Sequence, residues 1–229
     1  MIEIKKAEVL GIDGAIRGMR NPMNSWNKSD SGICEWTLSI SPYCDKGCKL
    51  YKDGDCLSCF FTIGENDMAL CKKLIKAGTD HRKFMRMIHV QADVLAPLYW
   101  WKHLEQYKVG TTTNSTSTMH KIHAKEFTLD DFSHEHLTPM YMYYLEKMIV
   151  QLNSARQDYL ATKDKTYWWQ IIQLLPSSYN QLRTIDLNYE VLINIYHARK
   201  NHKLDEWSGE KGFCSWIKTL PYMEDFLNA

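Results

Sequence analysis

Two rhythms of apolar residues run along this chain. Ile2, Ile4, Val9 and Leu10 alternate loosely over 2–12 and predict an edge or opening strand. Residues 14–30, rich in Gly, Asn, Ser and Asp around Pro22, predict a loop with room for one helical turn. A helix is expected from Asn66: Asn66 as its cap, Asp67 at its positive end, Leu70, Leu74 and Ile75 as its stripe, and Gly78 as its stop. Ile88 to Val94 alternates as a strand with one buried face, and Pro97 then opens an aromatic helix through Trp100, Trp101 and Leu104. Residues 109–120 carry hydroxyls and no period, which predicts a loop that is either solvated or shaped around a ligand. Thr138-Pro139 opens a long helix with Tyr141, Leu145, Met148, Ile149 and Leu152 at helical spacing. Trp168, Ile171, Ile172 and Leu175 mark another, closed by Pro176. Leu182–Leu187 fits a strand, Asn188 caps a helix bearing Leu192, Ile195 and Tyr196, and a last helix is expected near 207–220. The Tyr-Trp-Trp triplets at 99–101 and 167–169 read as core aromatics. Helices dominate and the few strands are not interleaved with them, so the expected class is α+β: a helix-rich domain with a small, mainly antiparallel sheet.

Composition narrows the function classes. A chain of 229 residues is expected to fold as a single domain. A net charge of +1 gives no electrostatic footprint for nucleic acid or an anionic membrane. No stretch approaches the roughly 20 apolar residues of a membrane span. The start, Met1-Ile2-Glu3-Ile4-Lys5-Lys6, lacks the apolar segment of a signal peptide, so the seven cysteines are expected to be reduced or metal-bound in a cytoplasmic protein. Five of them fall within 34–59, in a stretch read as an insertion at about 33–62. There Cys44-x3-Cys48-x7-Cys56-x2-Cys59 brings four thiols into a Gly/Asp/Lys-rich segment with little to pack, which structural zinc would fold. Free cysteines and an iron–sulfur cluster are the alternatives.

The order of segments carries a resemblance. Leu74-Ile75-Lys76-Ala77-Gly78, a His-containing turn, the strand 88–94, Ala96-Pro97, an aromatic helix and an Asn/Ser loop are followed by Leu174-Leu175-Pro176 and Asn188-x-Glu190-x3-Asn194-x4-Arg199. Over roughly 66–221 this resembles the flavin-dependent thymidylate synthases. That family's signature, Arg-His-Arg-x-x-Ser-x-Asn-x-x-Ser-x-Arg, matches Gln106 to Met119 with one extra residue before Asn114. Gln106, Tyr107 and Lys108 stand for Arg-His-Arg, Met119 for the last arginine, and Glu190 for an arginine of the second half.

The resemblance implies transfer of a one-carbon unit from methylenetetrahydrofolate to C5 of a uridylate or related pyrimidine nucleotide, with FAD supplying the hydride. It implies Arg199 and Ser117 at the nucleotide, and His81, Lys108, Asn114, Asn188 and Asn194 at the cofactor. It further implies a homo-oligomer, usually a tetramer, with the flavin between subunits. Each lost guanidinium forfeits a charged hydrogen bond worth roughly 1.5–3 kcal/mol, and Glu190 near a phosphate would repel it. The alternative is therefore a catalytically lapsed homologue that binds a nucleotide or a partner. Either way, the Thr/Ser-rich turn and the helix bearing Arg199 are expected to converge on one anion-holding pocket.

Overall fold

Alternation and one hydroxyl-rich run build the sheet. The computed structural model describes residues 2–32 and 61–229, plus the backbone at 51–52 and 55–56. Strand β1 (Glu3–Leu10) is followed by a two-stranded ribbon of β2 (Tyr51–Lys52) and β3 (Asp55–Cys56), then by β4 (His89–Pro97), β5 (Thr111–Ser115) and β6 (Asn180–Asn188). The four longer strands form one sheet in the order β1-β4-β6-β5, antiparallel throughout. The class is α+β, as the patterning implies. One sheet face buries Val90, Val94, Ile185 and Leu187, while the other leaves His89, Gln91, Leu182 and Thr184 in solvent.

Helices pack on the buried face, apart from one pair that covers a separate core. They are α1 (Ile12–Met19), α2 (Glu65–Lys76), α3 (Leu98–Leu104), α4 (Pro139–Thr162), α5 (Lys165–Leu174), α6 (Tyr189–Arg199), α7 (Asp205–Ser208), α8 (Phe213–Thr219) and α9 (Met223–Leu227). Trp100 and Trp101 of α3 sit at the centre of the core, with Trp100 against Trp207 at 4.7 Å and Phe213 at 5.3 Å between ring centroids. Each fully buried large apolar side chain contributes roughly 1.5–3 kcal/mol. The α4–α5 hairpin makes a second, smaller core from Leu145, Ile149, Leu152 and Ile171 over Phe127 and Phe132.

Several expectations are corrected. Residues 12–19 form a helix, because Ile12, Ala15, Ile16 and Met19 make a buried stripe that outweighs Gly14 and Gly18. Gly11 makes the turn into it at φ 86°, where a Cβ would meet the Met87 carbonyl oxygen at 2.3 Å. Asn66 does not cap α2; the Asp30 carboxylate does, accepting from the Asn66 and Asp67 amides. Asp67 is fully buried rather than decorating the helix end. The loop 109–120 contains edge strand β5, which pairs through its backbone and so needs no apolar face. Trp169 is 47% exposed, unlike Trp100 and Trp101, and the helix expected near 207–220 is two short ones, α7 and α8. Cys44, Cys48, Cys56 and Cys59 lie outside the residues whose side chains are described.

Candidate functional site

Strand β5 runs back along β6, and this pairing decides what meets what. Thr111 faces Leu187 and Ser115 faces Arg183, so the start of β5 lies beside the first turn of α6. Asn188 caps that helix, its Oδ1 accepting from the Val191 amide at 3.0 Å, and its own side chain is buried. The Asn188 amide lies against Gly110, whose φ of 71° and lack of a Cβ permit the approach; a Cβ there would stand 2.3 Å from Nδ2. At the other end of α6, Arg199 donates from Nε to Tyr107 Oη at 3.0 Å and from Nη2 to Gln106 Oε1 at 3.4 Å. Helix α6 therefore grips residues 106–110 at two points.

The expected convergence is thus half met within one chain. Arg199 reaches Gln106 and Tyr107, just ahead of the Thr/Ser-rich run, but Ser117 lies towards the run's other end. At about 3.3 Å per residue, six positions beyond Thr111 is roughly 20 Å. There the Ser117 hydroxyl accepts from the Met119 and His120 amides at 3.2 and 2.8 Å, closing a turn that Trp168 pins by donating to the Met119 carbonyl at 3.0 Å. Asn114 and Lys108 are exposed.

Glu190 is not a bare carboxylate. It is buried, it accepts from Arg82 Nε at 3.0 Å, and Arg86 Nε donates to its other oxygen. Burial alone would raise its pKa, but the hydrogen bonds and charges of Arg86 and Arg82 outweigh that and hold it below the usual carboxylate range. Arg82 also donates from Nη2 to Asn194 Oδ1 at 3.1 Å. His81 itself is exposed, its amide donating to the Gly78 carbonyl. Arg82, one residue on, is the member of that turn tied to α6. Two arginines against one carboxylate leave a unit of positive charge where repulsion was expected.

A second cation was missed in β6. Arg183 is 12% exposed and points to the buried side of the sheet, with its guanidinium 4.5 Å from the Trp101 ring centroid, while Leu182 takes the solvent position. The signal was present: reading Ile185 and Leu187 as inward makes Arg183 inward too. Together Arg183, Trp101, Leu104, Glu105, Tyr107, Lys108, Thr111 and Thr113 line a cavity of about 330 Å³ under the edge strand. The Thr111 hydroxyl is itself buried out of the cavity's reach, with no hydrogen-bond partner among the described residues. Among the described residues no group of three or more His, Cys, Asp or Glu side chains is placed to hold a metal, and no helix is long and apolar enough to cross a membrane.

No protein-family model matches the chain, and no curated protein matches it by sequence. Solved structures do. The flavin-dependent thymidylate synthase ThyX of Helicobacter pylori, complexed with FAD and dUMP, superposes with a TM-score of 0.62 over 98% of this chain and 97% of the other, at 14% identity. The fold is that of the flavin-dependent thymidylate synthases. A second ThyX structure from Helicobacter pylori with FAD and dUMP gives 0.61 at 13% identity, over 99% and 97% of the two chains. The UMP/dUMP methylase PolB from Streptomyces cacaoi, bound with 5-Br dUMP, gives 0.57 at 13% identity over 100% and 95%. Likeness over the full length of both partners matches the segment order that the resemblance rested on. At such identities it establishes shape, and the side chains must speak for chemistry.

Proposed function

We propose that this chain is a thymidylate synthase-like enzyme that transfers a one-carbon unit to C5 of a uridylate or related pyrimidine nucleotide, using FAD and a folate. The observation that carries the reading is the double grip of α6 on residues 106–110. Asn188 against Gly110 and Arg199 on Tyr107 join the two segments that the resemblance singled out.

The residues present suit part of a flavin dinucleotide. Lys108 and the backbone about Gly110 offer donors beside a cavity, and Arg82 with Asn194 offers a second polar edge. Bound reduced flavin would supply the hydride. The protein's share is positional: α6 fixes the loop, and the excess charge of the Arg82–Arg86–Glu190 group favours an anion. A cavity of about 330 Å³ is too small for a whole dinucleotide, and Ser117 is remote from Arg199 within one chain. Both features support a site completed by another copy, in a homo-oligomer such as a tetramer. The four-thiol zinc reading of Cys44, Cys48, Cys56 and Cys59 belongs to the same proposal, and metal analysis of the purified protein tests it.

The deciding experiment is flavin content together with turnover. The purified protein should carry or take up FAD and, with methylenetetrahydrofolate and NADPH, methylate dUMP or a relative. Absence of both flavin uptake and uridylate binding would end the proposal. The lapsed-homologue reading draws on the arginines lost from the signature, where Gln106 and Met119 stand. Thermal stabilisation by a nucleotide without any flavin uptake would favour it.

A further inference from the structure

An arginine on an inward strand position needs a reason, since burying its charge is costly unless it is paired. Arg183 is only partly paired. Its Nε donates to Gln181 Oε1 at 3.0 Å and its Nη1 to Glu105 Oε1 at 2.8 Å, leaving Nη2 without a partner among the described residues. The Trp101 ring backs the guanidinium and keeps its plane fixed, which suits it to present a donor edge rather than swing freely. Lys108, on the rim of the same cavity, has no ion-pair partner among the described residues. Arg183 and Lys108 against Glu105 leave the cavity with one net positive charge. Its volume of about 330 Å³ lies at the lower end for small-molecule sites, room for a phosphoryl group and part of a sugar.

We infer that Arg183, with Lys108, binds a phosphoryl group in this cavity, so that a cation from β6 serves the signature loop from the strand beside it. Arg183 lies outside the signature stretch, in the strand that pairs with it, and Ser115 opposite shows how close the two segments run. The identity of the whole ligand rests on the proposed function, whereas the anion site does not. The phosphoryl group belongs either to the nucleotide monophosphate or to the flavin diphosphate.

The test uses the full chain and begins with inorganic pyrophosphate, followed by calorimetry and by tryptophan fluorescence, since Trp101 lies under Arg183. Lys108→Ala should weaken pyrophosphate binding roughly tenfold, and Arg183→Gln by at least as much. Glu105→Gln should tighten it several-fold by removing the opposing charge. Lys108 and Glu105 are exposed, so these two variants carry the test if Arg183→Gln fails to fold. Paired titrations with dUMP and deoxyuridine, then FAD and riboflavin, show the source: the losses should fall on the phosphorylated member of one pair and spare its partner. Unchanged pyrophosphate affinity in both Lys108→Ala and Glu105→Gln overturns the inference, as do equal losses on phosphorylated and unphosphorylated ligands. A wild type that binds dUMP and FAD while its variants do so identically sinks the cavity and keeps the proposed function. Pyrophosphate binding that follows the variants, with no affinity for dUMP or FAD, supports the cavity and sinks that function.

Discussion

Two carboxylate–arginine groups in this protein use the same chemistry for opposite ends. Asp67 and Arg20 are 0% and 5% exposed in their side chains, one charge against one, with Ser29, Ser31 and the Asp30 and Ser31 amides filling the remaining lone pairs. Glu190 faces two arginines, of which Arg82 is 18% and Arg86 47% exposed, and the group keeps a net charge at the surface. The first ties the turn after α1 to α2 and has nothing left to offer a ligand. The second has donors and charge to spare beside α6. Burial and stoichiometry, rather than residue type, separate scaffold from site.

The largest effect should come from breaking the closed group. Asp67→Ala leaves Arg20 buried without its counter-charge, and should cost about 3–5 kcal/mol in chemical denaturation. A loss below about 1 kcal/mol would show that water already serves Arg20. Glu190→Gln keeps the shape of its site and leaves the arginines partly hydrated, so about 1–2 kcal/mol is expected. Should Glu190→Gln cost as much as Asp67→Ala, the contrast is lost.

Acid sharpens the comparison. Burial opposes the charge on Asp67, but hydrogen bonds from Ser29 and Ser31 and the Arg20 guanidinium prevail and lower its pKa, as the arginines do for Glu190. Depressed carboxylates stabilise fully above their unfolded values of about 4 and lose that contribution as the pH falls further. Stability measured at about pH 7 and about pH 3 should therefore converge between wild type and Asp67→Asn as the solution is acidified. Glu190→Gln should converge by less. Arg86→Ala should change the melting temperature least of all, because half of its side chain is already in water. A large drop there would mean that Arg86 is structural.

Elements whose partners are near in sequence could be read from the residues. The caps and stops at Asn188, Pro97 and Pro176 behave as their types require; strand 182–187 needed extending at both ends, and 88–94 starts one residue later and runs on to Pro97. Helix α1 was hidden because glycines lower local propensity while the burial of Ile12, Ala15, Ile16 and Met19 comes from elements far along the chain. β5 was hidden because an edge strand takes its stability from backbone bonds to β6, which no hydroxyl pattern announces. At the site, Arg199, Asn188 and Lys108 were singled out from the resemblance. Arg82 and Arg86 were not, since their partner Glu190 lies 108 and 104 positions away, and Arg183 was passed over although the alternation of its strand turns it inward.

By itself the sequence determined the class of fold, the segment order and which loop to watch, because periodicity and turn chemistry act over a few residues. Only the tertiary structure decided that Glu190 is neutralised, that Arg183 meets Glu105 and Trp101, and that Ser117 and Arg199 stand apart in one chain. Those are matters of charge meeting charge across the fold, set by strand register and burial rather than by neighbours in sequence.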